Sequence, residues 1–303
     1  IRDRDLLGVH AYTTDSLIEP SIDENASFYG RLANGVWVSP DFKKFAFRIR
    51  ADARWHDGTP ITIEDVIFSF RHYKNKAASG IRTALLELDE IVKISENEVL
   101  FTVKKEATPN PNLPFAVGQF AIQSKNYWKD KDLTKTTLEP PLGSGPYRVK
   151  EFVLGRYVIY ERVGDYWGKD LAVMKGRYNF DQLKCDYFRD ESIMVESVKG
   201  DVIDLRHETV SKQWMTEYNF AARHKGYFTR ELIDLNRPWG MWWPIIWNLD
   251  NKKFQDIRVR EALWNMYDFR WVNRVLMYGF YDYADSYFYN SPMAHEGLPS
   301  EKS

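Results

Sequence analysis

With 303 residues, 44% hydrophobic and 28% charged, the chain has the composition of a folded protein of about two domains, which excludes disorder. A formal net charge of −1 leaves no cation excess for a nucleic-acid backbone or an anionic membrane surface, and no apolar run reaches the roughly 18 residues that span a bilayer. Aromatic residues are the outlier: 11 Trp, 18 Tyr and 18 Phe supply 16% of the chain, enough for a large core or for a surface that holds a flat or apolar ligand.

The chain enters patterned sequence at once, in "DLLGVHAYTTDSL", without a cationic-then-apolar leader, so a signal peptide is expected to be absent from this chain. "FKKFAFRIR" (Phe42 to Arg50) sets Phe45, Phe47 and Ile49 on one face at period two and predicts a half-buried strand. "HDGTP" follows as a turn punctuated by Gly58 and Pro60, and the turn accounts for His56 and Asp57 without a catalytic role. Thr62 then caps a helix with Asp65 at its third position, a capping box, and Ile63, Val66, Ile67 and Phe70 give that helix its apolar stripe.

Further along, "EIVKI" and "EVLFTVKK" read as two strands joined by "SENE". The proline-rich "ATPNPNLP" (Ala107 to Pro114) is a loop, and a long polar connection ends in the Gly-Ser-Gly-Pro turn at 143–146. "YRVKEF" and "RYVIYERV" predict a hairpin; Cys185, the single cysteine, reads as a small buried hydrophobe in a strand. "DESIMVESVKG" predicts a helix ended by Gly200, followed by "DVIDL" as a short buried strand. Arg206, His207 and Glu208 come just past that strand, where α/β folds often line a site; a solvated loop is the equal alternative.

The segment "RPWGMWWPIIWNLDN" alternates as a strand, with Trp243, Ile245, Trp247 and Leu249 on a core face and Pro244 restricting it to an edge or a bulge. Trp239 and Trp242, beside Gly240, are the better candidates for a pocket wall. Asp256 is then a plausible N-cap, with Val259, Ala262, Leu263, Met266 and Tyr267 at helical spacing behind it. The pattern is α/β or α+β with mixed strands, without a regular βαβ array.

Several chemistries find no support. There is no phosphate loop, no Gly-x-Gly-x-x-Gly after a strand and no Gly-x-Ser-x-Gly frame around Ser144. The six histidines (10, 56, 72, 207, 224 and 295) form no pair at metal-ligand spacing, and one cysteine cannot form an intramolecular disulfide. Carboxylates are plentiful, so a hydrolytic pair stays open by count alone, although no two are singled out.

Three ordered motifs, "FAFRIRADARWHDGTPITIEDVIFSF", "LGSGPYRVKEF" with "YERVGDYWG", and "WNLDNKKFQDIRVREAL", resemble the family 5 extracellular solute-binding proteins of ABC importers. "TTLEPPLGSGPYRV", "GRYNFDQLKCDYFRD" and "YGFYDYADSYFYNS" look closest to the branch linked to oligopeptide and microcin C uptake. The resemblance implies an α/β, class II periplasmic-binding-protein-like bilobal fold that closes on an extended ligand and performs no chemistry. It places residues 1–30 and 143–255 in the core of lobe I, 31–142 in an inserted subdomain and 256–303 at the beginning of lobe II. Family members start earlier and continue beyond "GLPSEKS", so this chain is expected to be a fragment.

By the same resemblance, Thr14, Asp15, Ser16 and Leu17 run beside the ligand backbone and Arg206, His207 and Glu208 face the cleft. The tryptophan strand, with Trp239 and Trp242, leads from lobe to lobe, and Asn248 and Asp250 lie near the hinge. The expected function is a Gram-negative periplasmic receptor for oligopeptides or peptide-like compounds, a monomer delivering to an ABC permease in the inner membrane. It would need no cofactor, metal or nucleic acid. The alternatives are an oligosaccharide receptor of the same family and a carboxylate-dependent hydrolase.

Overall fold

A computed structural model describes residues 12–21, 24, 27–76, 82–83, 85–131, 138–233, 244–294 and 297. They fall into two compact units that divide between Tyr187 and Phe188.

In the first unit, β1 (Ile18–Pro20) and β2 (Phe28–Gly30) form a two-stranded antiparallel sheet. β3 (Ala33–Val38), β4 (Lys44–Ile49), β5 (Leu88–Ser95) and β6 (Glu98–Val103) form a second, in the order β3-β4-β6-β5, with every neighbour antiparallel. Period two decides which face is inside: Phe45, Phe47 and Ile49 are buried, and register places Phe45 opposite Phe101, with the rings stacked at 5.0 Å.

Helix α1 (Ile63–Lys76) covers that face with Val66, Phe70 and Tyr73, and Phe70 meets Phe101 edge-on at 5.1 Å. Each fully buried aromatic contributes roughly 1.5–3 kcal/mol. The capping box forms as the sequence predicts. The Asp65 amide donates to Thr62 Oγ1 at 3.4 Å, and the Thr62 amide donates to Asp65 Oδ2 at 2.9 Å.

Two short helices follow, α2 (Leu113–Gly118) and α3 (Lys125–Trp128). Asp65 also ties α3 to α1, because its Oδ1 accepts the Lys125 amide at 2.7 Å. The hairpin is present as β7 (Tyr147–Val153) and β8 (Tyr157–Arg162), extended by β9 (Gln182–Asp186), which carries the half-buried Cys185. Leu17 and Ile18 share one apolar cluster with residues of the 31–142 stretch, so the early segment and the expected insertion pack as one core. Tyr147, Val158 and Tyr160 form a separate, smaller cluster.

The second unit is helical among its described residues: α4 (Glu191–Lys199), α5 (Ser211–Thr216), α6 (Ala221–His224), α7 (Ile257–Asn265) and α8 (Phe269–Leu276). Asp190 and Asp256 cap α4 and α7 by accepting the amides of Ser192 at 2.7 Å and Arg258 at 2.9 Å. Val195, Val198 and Tyr218 make a small apolar cluster.

Two strand expectations are corrected here. "DVIDL" is irregular chain after α4, with Leu205 87% exposed. Residues 244–248 are also irregular: Ile246 is 86% exposed, and Trp247 is half-buried against Phe254 rather than in a core. The reason is shared, since a strand needs a neighbour for its main-chain groups and the second unit has no strand among its described residues. Helix α7 forms as expected, but Val259, Leu263, Met266 and Tyr267 are exposed. Trp239, Trp242 and Trp243 lie outside the described residues.

Candidate functional site

The segment from Thr13 to Ile18 is held on three sides by main-chain bonds. Thr13 O accepts the amides of Ser144 and Gly145, both at 2.9 Å, and Asp15 O accepts the Ile122 amide at 2.9 Å. Leu32 N–H donates to Ser16 O at 3.1 Å, and Arg31 and Ala33 donate to Leu17 O at 3.0 and 2.9 Å. Ser144 Oγ accepts the Asp15 amide at 3.0 Å.

This close approach explains the Gly-Ser-Gly sequence. A Cβ on Gly145 would sit 2.7 Å from Tyr12 O, and one on Gly143 would fall onto the Thr13 carbonyl oxygen. His56 closes the back of the turn: its amide donates to Gly143 O at 2.8 Å and its Nε2 lies 2.8 Å from Gly145 O. Burial holds the His56 imidazole below its ordinary pKa.

Asp15 is the centre of a buried polar network. Its carboxylate lies 2.5 Å from Arg31 Nη2 and accepts from Tyr166 OH at 3.0 Å and Trp167 Nε1 at 2.9 Å. Arg31 Nη1 also donates to Glu19 at 2.7 Å, and Arg177 reaches the other Glu19 oxygen at 2.6 Å. Burial works against the Arg31 charge, but Asp15, Tyr166 and Glu19 outweigh it and raise the pKa. Burial pushes the Asp15 carboxyl up, against the pull of Arg31 and of the Tyr166, Trp167 and Ser144 hydrogen bonds. Tyr166 is shifted strongly upward by burial and by Asp15, so it stays a donor.

Of the four early residues singled out in the sequence, Thr14, Asp15 and Leu17 are buried and Ser16 is half-buried. Asp15 points into the ion-pair network and Leu17 into the apolar core. Ser16 Oγ donates to Ile18 O at 2.8 Å. Sequence reasoning missed Arg31, Tyr166 and Trp167. The available signal was the Tyr166-Trp167 pair, whose O–H and N–H need acceptors once buried.

In the second unit, Arg206 and Glu208 are brought together at 3.0 Å, with side chains 7% and 4% exposed. Arg206 also meets Glu191 at 2.7 Å and Gln213 at 2.9 Å, while Glu208 accepts from Tyr218 OH at 2.7 Å and from the Val210 amide at 2.8 Å. Arg206 Nε and Nη1 are buried without a hydrogen-bond partner among the described residues. His207, between them, is exposed. Asn248 Oδ1 accepts the Asp250 amide at 3.0 Å in an exposed turn. Among the described residues no three His, Cys, Asp or Glu side chains are grouped to share a metal ion, and no helix is long and apolar enough to cross a membrane.

Residues 27–303 match the family described as bacterial extracellular solute-binding proteins, family 5 Middle. YejA of Agrobacterium fabrum, named a probable peptide-binding protein, is 36% identical over 294 residues, which are 94% of this chain and 47% of that protein. YepA of the same organism, named a peptidoglycan-binding protein, is 33% identical over 95% of this chain and 48% of its own length. The chain thus spans about half the length of the curated relatives it matches.

Among solved structures, NikZ from Campylobacter jejuni in complex with Ni(L-His) aligns with a TM-score of 0.66 at 22% identity, covering 92% of this chain and 52% of NikZ. The oligopeptide-binding protein AppA from Bacillus subtilis, in complex with a nonapeptide, gives 0.64 at 19%, covering 88% and 50%. At that identity the likeness speaks for the fold, the α/β fold of class II periplasmic-binding proteins. The chain belongs to family 5 of the bacterial extracellular solute-binding proteins.

Proposed function

We propose that the protein containing this chain is the substrate-binding component of an ABC importer and takes oligopeptides or peptide-like compounds. The observation that carries this reading is the family match over residues 27–303, together with a relative named a probable peptide-binding protein. A receptor of this kind works outside the inner membrane, as a periplasmic monomer that delivers to a permease, and catalyses no reaction. In this reading residues 1–30 and 143–255 belong to lobe I with 31–142 inserted, and 256–303 open lobe II.

Thr14 to Leu17 and Arg206 to Glu208 then frame the ligand, with Trp239 and Trp242 as aromatic walls. The bonding of both segments suits a frame rather than a reacting group. Asp15 and Arg206 are pinned by ion pairs, which leaves Thr14, Ser16 and His207 as the residues of these segments whose side chains are neither in the apolar core nor in a buried ion pair. Rigid support of this kind lowers the ordering cost of ligand capture.

A second reading, a receptor for saccharide-bearing ligands, is favoured by the relative named for peptidoglycan binding. Isothermal titration of the full-length protein with tri- to nonapeptides, and separately with oligosaccharides, tests both. Heat with peptides alone supports the first reading; heat with sugars and none with peptides overturns it.

A further inference from the structure

The first unit also has a groove of about 630 Å³ between α1, β5 and the start of α3. Its floor is apolar, formed by Ile67, Phe68, Ile91 and Val92, and its rim carries Arg71 and Lys125. Phe68 is set in place by stacking on His72, with ring centroids 6.2 Å apart. Lys125 is positioned by its own amide, which donates to the buried Asp65 on α1 at 2.7 Å.

The charge balance of this groove is uneven. Glu64, the carboxylate in its wall, is taken by Lys93 at 3.1 Å, and Lys93 also holds Glu96 at 2.9 Å. Arg71 and Lys125 have no carboxylate within ion-pair distance among the described residues. Two cations from different elements, neither in an ion pair among the described residues, thus line one apolar-floored groove, which is within the usual size range of small-ligand pockets.

We propose that this groove is a second binding site, for a small amphipathic organic anion. Its apolar or aromatic body lies on Phe68, Ile67 and Val92, and its carboxylate is shared by Arg71 and Lys125. The outer edge of β5, unpaired among the described residues, would suit an acidic extended segment less well. Lys74 Nζ already occupies the carbonyls of Leu88 at 2.5 Å and Asp89 at 3.3 Å, and the exposed Asp89 and Glu90 would repel such a segment. This site is independent of the peptide-type ligand proposed above.

The test is methyl-resolved NMR of the intact chain titrated with 3-phenylpropionate, acetate and 2-phenylethylamine. The expected result is saturable shifts of the Ile67, Ile91 and Val92 methyls with 3-phenylpropionate alone. Affinity should fall about tenfold or more in the Arg71→Gln, Lys125→Gln double variant, whose exposed substitutions leave the methyl spectrum away from the groove unchanged. Equal response to acetate, no response to any probe, or unchanged affinity in the double variant would overturn the proposal. So would binding of an alternating Val-Glu peptide where 3-phenylpropionate fails, which would assign the groove to strand docking on β5.

Discussion

Replacing Arg31 by Met tests the Asp15 network most directly. Both side chains are almost fully buried and lie 2.5 Å apart, so the substitution leaves a carboxylate inside the protein without its counter-charge. Removing one member of a buried pair costs about 3–5 kcal/mol. Asp15 keeps the donors Tyr166 and Trp167, and Glu19 keeps Arg177, so the lower end, about 3 kcal/mol, is expected. For a unit of this size that lowers Tm by roughly 6–12 °C.

Adding Asp15→Asn removes the stranded charge while keeping an oxygen for Tyr166 and Trp167, and should recover about 1–3 kcal/mol. Urea unfolding followed by tryptophan fluorescence is the assay, with Trp167 hydrogen-bonded to the perturbed carboxylate as a local reporter. A loss below about 1 kcal/mol for Arg31→Met, or strict additivity in the double variant, would show that water screens the pair and refute the buried-network account.

Gly145→Ala would place a methyl 2.7 Å from Tyr12 O and force Thr13 away from the turn; a loss of about 1–3 kcal/mol and faster proteolysis near residue 13 are expected, and unchanged melting would count against the contact. His56 has its folded-state pKa lowered by burial, so the unfolded chain binds the proton first as pH falls. Its share of stability is full above the unfolded value of about 6.5 and is lost below it, at up to about 1.4 kcal/mol per pH unit. Melting curves between pH 7.5 and 5.5 should show that slope in the wild type and a shallower one in His56→Gln. Phe101→Ala removes a ring packed on Phe45 and Phe70 and should cost about 3–5 kcal/mol in chemical unfolding; a loss under 1 kcal/mol would mean that the sheet face is not the core described here.

The elements that were legible in the sequence are those whose cause is local. The period-two run through Phe45, Phe47 and Ile49, the Thr62–Asp65 capping box and the Asp256 cap each act over three to eight neighbouring positions. Their structures follow from sterics, side-chain alternation and orphan amides at a helix start. "DVIDL" and the chain around Trp247 have the composition of strands but not the outcome. Alternation says only which face could be buried, and main-chain pairing is supplied, or not, by distant chain.

The site divides the same way. The sequence by itself determined the family, through ordered motifs along its length, and drew attention to Asp15, Arg206 and Glu208. It could not say that Asp15 would be closed in by Tyr166 and Trp167, 151 and 152 positions away, or by a turn at Ser144 that admits only glycine on either side. Nor could it place Lys125 and Arg71 in the lining of one apolar-floored groove. Local propensity is written in adjacent residues. A buried charge's partners are chosen by which surfaces the hydrophobic core brings together, and only the tertiary structure decides that.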